Sequence, residues 1–351
     1  MSSPSIAAVP AVTERNRYVD FLRVASIAVV VLGHWLMAVI AWEGGRIVGG
    51  HLLAEAPRLQ LLTWVFQVMP VFFIVGGYAN AASWSSAERR GVGYGAWMRA
   101  RAARLLRPTA VFVAVWTALA LVVRLAPIDP ELVQAGSRLV AVPLWFLAVY
   151  FLVIPAVPVM LTAHRRFGVW VPVVLTAAAA AVDLASWGFE LPLVGWANFA
   201  LVWLAVHQLG FLWRDGLLTE RGQIPWLLAG GGLAALALLV WLGPYPLSMV
   251  GVEGAARTHN APPSVPLVAL AVWQAGLMLL FEDRGNAWLA RERPWAAAVT
   301  ANSMVMTVYL WHLTALALAT LALFPTELWP RVAPLSPSWW ALRPLWVLVL
   351  H

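Results

Sequence analysis

The stretch Arg17-Tyr-Val-Asp20-Phe-Leu-Arg23-Val-Ala-Ser-Ile-Ala-Val-Val-Val-Leu-Gly-His34 decides how this chain is read. It opens an apolar segment running from about residue 21 to 42, long enough to span a bilayer. Arg23 and His34 are eleven residues apart, about three helical turns, so both project from one face, roughly 16 Å apart along the axis. An ionisable residue at membrane depth is a candidate functional site by default. Arg23 can carry its guanidinium to the membrane surface on its long stem. His34 lies too deep for that. It is either a polar residue that packs against a neighbouring helix or a catalytic one.

The same pattern extends along the chain. It has 351 residues, of which 62% are hydrophobic and 11% charged. A soluble domain carries about a quarter charged residues. Apolar runs of bilayer length recur near 21–42, 60–82, 108–126, 139–162, 169–187, 192–213, 224–243, 265–282, 297–324 and 339–351. The expected fold is therefore all-α, a polytopic transmembrane bundle of about ten spans. Residues 1–19 read as a disordered cytoplasmic tail, and 20–351 as one membrane domain whose first span is an uncleaved anchor. The last span has too few residues after Pro344 to cross a core of about 30 Å, so it is short, re-entrant or truncated. The 22 Trp suit anchoring at the membrane interface.

Cysteine is absent, which excludes disulfides, thiolate nucleophiles and Cys-ligated metals. The His spacing shows no metal motif, so no metal site is expected, and no phosphate-binding loop or nucleophile elbow appears. The net charge of +7 does not point to nucleic acid. Arg retained in cytoplasmic loops explains it. With the N-terminus inside, those loops hold Arg15 and Arg17, then Arg89 to Arg107, Arg165 and Arg166, Arg214 and Arg221, and Arg284, Arg291 and Arg293. The expected setting is the cytoplasmic membrane, with lipid as a partner and the oligomeric state open. The outer loop 244–264 is rich in Pro and Gly; it either shapes an outer mouth or simply connects two spans.

Several residues could carry chemistry. A neutral His34 imidazole is a competent general base for a hydroxyl or amine. Asp20 and Arg23, at i and i+3, are either an intrahelical ion pair or an anion clamp. Arg99, Arg101, Arg104 and Arg107 make a basic face on a helix entering the membrane. That face suits anionic lipid headgroups or the phosphates of a nucleotide-like acyl donor. Asp183, His207, Asn302, Tyr309 and His312 are secondary candidates inside apolar spans, where helix–helix hydrogen bonding is the ordinary role.

The order of these motifs resembles the integral-membrane acyltransferase family 3. Arg23, ten residues, then His34 is similar to its opening signature. Met69-Pro-Val-Phe-Phe-Ile-Val-Gly-Gly-Tyr78 resembles its second span, although Gly76-Gly77 stands where Ser-Gly is common. Arg99 to Pro108 resembles its Arg-rich loop, Leu144-Trp-Phe-Leu147 its fourth-span motif, and Asn302-Ser303 with Tyr309-Leu-Trp-His312 its late span. The resemblance implies about ten helices and transfer of an acyl group, often acetyl from acetyl-CoA, to hydroxyls of sugars, cell-surface glycans or secondary metabolites. It implies His34 as base, Arg23 as a donor-positioning residue and the loop arginines as the acyl-CoA site. Acyl-CoA would be a donor substrate, with no bound cofactor. From the residues alone, two other readings stand: a transporter or flippase using His34, Asp183 and His207 as a proton relay, and a scaffold without chemistry.

Overall fold

The structure is a computed structural model that describes residues 16–123, 125 and 130–351. Residues 1–15 of the expected tail lie outside the described residues. The helical part starts earlier than expected. Asn16 caps helix α1 (Arg17–Met37), its side-chain oxygen accepting from the Tyr18 and Val19 amides. That satisfies donors a helix start otherwise leaves open, so residues 17–19 are helix and not tail.

The first span also ends earlier, at Met37. The apolar residues that follow form a hairpin of β1 (Ala38–Glu43) and β2 (Arg46–His51), paired antiparallel with Glu43 opposite Arg46. Gly44 and Gly45 make its two-residue turn, both with positive φ, as the tight hairpin turn requires. His34 therefore sits in the last turn of α1, at the hairpin end. Short helical turns over Leu52–Glu55, Pro57–Leu62 and Thr63–Phe66 lead into α2 (Met69–Arg89).

The remaining long helices are α3 (Tyr94–Val123), α4 (Pro130–Val153), α5 (Val157–Phe167), α6 (Trp170–Asp183), α7 (Asn198–Arg214), α8 (Ile224–Leu242), α9 (Pro266–Leu289), α10 (Glu292–Leu323) and α11 (Pro337–Leu350). Counting runs joined by tight turns, nine are long and apolar enough to cross a membrane, among the described residues. The chain is an all-α polytopic membrane bundle. The expected tenth span is α11, whose 14 residues rise only about 21 Å. The ninth span runs unbroken for 32 residues as α10.

Helices α2 and α7 approach backbone to backbone. A Cβ on Gly77 would collide with the His207 carbonyl oxygen, and one on Gly210 with the Ile74 carbonyl. Small residues at such a crossing let helices close without hydrophobic drive from water. Around it, Phe73 of α2 stacks on Trp203 of α7 at 4.2 Å and meets Phe146 of α4 edge-on at 5.7 Å. Phe146 in turn meets Tyr309 of α10 at 5.5 Å, and the Tyr309 hydroxyl donates to the Pro143 carbonyl at 2.9 Å. This buried aromatic chain fixes α10 against α4, and so fixes where His312 points.

Loop 244–264 is a folded element rather than a passive connection. Trp64 and Gln67 donate to the Leu247 and Met249 carbonyls. The Asp183 carboxylate accepts from Asn198, Tyr245 and the Val265 amide at 2.8, 2.8 and 2.9 Å.

Candidate functional site

Helix α1 lies against α10, and two contacts tie their hairpin ends. The Trp35 indole donates to the His312 carbonyl at 2.9 Å, and His34 Nδ1 lies 2.7 Å from His312 Nε2. The two imidazoles lie edge to edge and nearly coplanar, with centroids 5.1 Å apart and planes within 5°. Protons can be assigned along this chain from its far end. His312 Nδ1 lies 2.6 Å from the Tyr309 carbonyl oxygen, which can only accept, so Nδ1 carries the hydrogen. A neutral His312 then presents a lone pair at Nε2. His34 must donate to it from Nδ1, which leaves the lone pair of His34 on Nε2. A base whose second ring nitrogen is held by another group in this way has the orientation that triads provide.

His51, at the end of β2, lies near enough to His34 for their charges to interact. Its Nδ1 accepts from the Leu53 amide at 3.3 Å, so Nε2 is the free side of its ring. Burial holds the His51 imidazole below its ordinary pKa, while the nearby carboxylate of Glu253 in the outer loop pulls the other way. Sequence reasoning passed over His51. The signal was a hairpin turn, Glu-Gly-Gly-Arg, that would have placed it back beside the end of α1.

At the other end of α1, Arg23 lies 3.4 Å from Asp20, as the i, i+3 spacing predicts. Arg101 is close enough to Arg104, Arg23 and Tyr150 to interact electrostatically with all three. Its guanidinium also stands 5.8 Å from the Trp97 ring. Arg99, Arg104 and Arg107 are exposed on α3, and Arg101 is half-buried. The four loop arginines do not form one narrow face. Spacings of two, five and eight residues spread them over more than half a helical turn. The cluster the fold assembles is Arg23, Arg101 and Arg104.

The other candidates lie apart. His207 is fully buried between α2 and α7, 3.2 Å from the Asn80 amide. Asp183 is bound into the outer-loop clamp described above. Among the described residues no hydrogen bond joins either to His34. Asn302 is ten residues, about 15 Å, N-terminal to His312 on α10 and joins no part of the pair. Among the described residues, no group of three or more His, Cys, Asp or Glu could hold a metal.

The chain matches the model of the acyltransferase 3 family, described as an acyltransferase domain, over residues 16–350. No curated protein and no solved structure gives a match.

Proposed function

The chain belongs to the acyltransferase 3 family, and from that membership we propose O-acyl transfer from a cytoplasmic acyl-CoA, acetyl-CoA in the simplest case, to a hydroxyl of a sugar, glycan or secondary metabolite, with His34 as general base. Enzyme class and membrane setting follow from the family and the fold. The roles of residues rest on one observation above the others: the His34–His312 contact leaves the His34 Nε2 lone pair free in the last turn of α1.

The acceptor hydroxyl gives its proton to His34 Nε2 while its oxygen attacks the thioester carbonyl carbon. The imidazolium that forms keeps its Nδ1–H on His312, a hydrogen bond that strengthens as charge develops. Collapse of the tetrahedral intermediate breaks the C–S bond. The departing thiolate takes the proton from Nε2, which restores neutral His34. The Arg23, Arg101 and Arg104 cluster supplies positive charge for the donor's phosphates. It lies about 16 Å of helix rise from His34, a span suited to the pantetheine arm between phosphates and thioester. Arg-rich loops at the N-terminal end of α1 support an N-terminus on the cytoplasmic face of the cytoplasmic membrane.

The test uses purified protein with radiolabelled acetyl-CoA and a pool of hydroxyl acceptors. Wild type is compared with His34→Ala, and thermal melting reports folding. Label transfer should vanish in a variant of unchanged melting. No thioester turnover, together with no shift of melting by CoA, would refute the assignment.

A further inference from the structure

A cavity of about 270 Å³ opens at the hairpin end of the bundle, between β1 and the C-terminal part of the chain. Strand β1 contributes Trp42, the segment after α10 contributes Trp329 and Arg331, and α11 contributes Trp339, Arg343 and Trp346. Arg343 is the member that needs explaining. It is only 8% exposed. One terminal nitrogen, Nη2, donates to the Ala38 carbonyl at 2.7 Å, and the guanidinium carbon stands 3.5 Å from the Trp339 ring centroid. Its Nε is buried without an acceptor, and no carboxylate of the described residues lies within ion-pair distance. The indole Nε1 of Trp346, in the same wall, is buried and equally unpartnered. Glu43, the carboxylate on the lining, sits at the exposed hairpin turn opposite Arg46 and pairs with neither arginine. At the rim, Arg331 lies 5.4 Å from the Trp42 ring and bonds Glu327 at 3.0 Å.

A buried guanidinium is stabilised by a counter-charge and by acceptors for its N–H groups, and leaving either unmet is costly. Here the chain supplies one carbonyl and one aromatic face. An oxyanion in the cavity would supply the rest, and planar guanidinium geometry suits a carboxylate. Four indoles line the space, two of them with a guanidinium over one face, and their apolar bodies and polar tips suit the C–H groups of a sugar ring. The volume is at the small end of ligand sites, too small for a nucleotide. Ala38, which Arg343 holds, follows His34 by four residues, about 6 Å of helix rise.

We propose that this cavity is an acceptor subsite for an acidic sugar, with Arg343 and Trp346 donating to its carboxylate and the Trp indoles packing on its ring. The proposal rests on the acyl-transfer reading for its purpose, and Arg343 ties the cavity wall to Ala38, the residue that follows α1.

Binding can be tested apart from turnover. The full chain in nanodiscs is titrated calorimetrically with glucuronate, glucose and inorganic phosphate, and separately with CoA. Glucuronate should bind at least about tenfold tighter than either glucose or phosphate. Arg343→Gln should abolish that preference while leaving the CoA response intact. Because Arg343 also holds Ala38, Trp346→Phe serves as the second variant; it removes one N–H and should weaken glucuronate several-fold. Equal binding of glucuronate and glucose would overturn the proposal. So would phosphate binding as tightly as glucuronate, or a preference that survives both variants. Loss of the CoA response with glucuronate binding intact would instead strike at the donor reading alone.

Discussion

Replacing His312 should separate orientation of the base from the base itself. Two substitutions make the comparison. His312→Met keeps the volume but offers no acceptor to His34 Nδ1. His312→Gln places an amide oxygen at a reach similar to imidazole Nε2 and can still accept. In the ground state the 2.7 Å contact joins two neutral rings, a bond with a net contribution of about 1 kcal/mol. In the transition state His34 carries positive charge, and a hydrogen bond to a charged group contributes about 1.5–3 kcal/mol. The difference, roughly 1–2 kcal/mol, is available only to the transition state and corresponds to about a 5- to 30-fold effect on kcat. The Met variant also frees His34 to adopt the wrong tautomer, so its loss should lie at or above the top of that range. The Gln variant should retain most of the activity. Donor KM should hold in both, since the arginine cluster is at the other end of α1. The assay is steady-state acyl transfer with melting as the folding control. The Trp35 bond to the His312 carbonyl involves backbone and survives either change. Equal kcat in the Met variant and wild type, or a Gln variant as impaired as Met, would refute the assigned proton arrangement.

Arg101→Gln should raise donor KM by about ten- to a hundredfold with kcat little changed, because it removes a charge-assisted phosphate contact; an unchanged KM, or a fall in kcat alone, would dismiss the clamp. Gly77→Ala should lower the melting temperature, reflecting about 1–3 kcal/mol of overpacking against the His207 carbonyl, and a melting curve like that of wild type would show that the α2–α7 crossing relaxes freely. His259 accepts from the Ser264 hydroxyl and donates to the Pro246 carbonyl at 2.9 Å, and burial holds its imidazole down at about 4 against an ordinary 6.5. The unfolded loop therefore takes up a proton that the folded loop refuses. Stability is full above pH 6.5 and falls by up to about 3 kcal/mol between pH 6.5 and 4. Protection factors for hydrogen exchange in residues 244–264 should fall over that window in wild type and much less in His259→Gln; an equal fall in both would assign the effect elsewhere.

Apolar length made the bundle legible, and the Arg23–His34 spacing marked the helix that matters most. The end of that helix was not legible by the same rule. Ala38–Glu43 is as apolar as a span, so a length criterion runs straight through it to Trp42. The contrary signal is local chemistry: two glycines between β-branched runs specify a hairpin turn more strongly than hydropathy specifies a helix. Helical geometry spreads Arg99, Arg101, Arg104 and Arg107 over more than half a turn, and only the packed fold shows that Arg101 comes near Arg23. The His34–His312 contact lies beyond any periodicity, because it joins residues 278 apart in sequence. Each His read alone is equally a packing residue. Only the order of helices in space, set by the Phe73, Phe146 and Tyr309 contacts, brings the two rings together.

That spatial order gives the two ends of α1 different chemistry. Its N-terminal half brings Arg23 and Asp20 beside Arg101 and Arg104 of α3. Its C-terminal end gathers the uncharged partners of His34 and then turns, within four residues, into the strand that walls an aromatic cavity. In the proposed mechanism α1 sets the distance between donor phosphates and reacting carbonyl, and the hairpin sets the distance from base to acceptor. On the proposed reading the thioester comes from one end and the acceptor from the other. Neither substrate then needs to cross the bundle whole. Only the acyl group moves from one side of His34 to the other, which leaves His207 and Asp183 to their packing contacts.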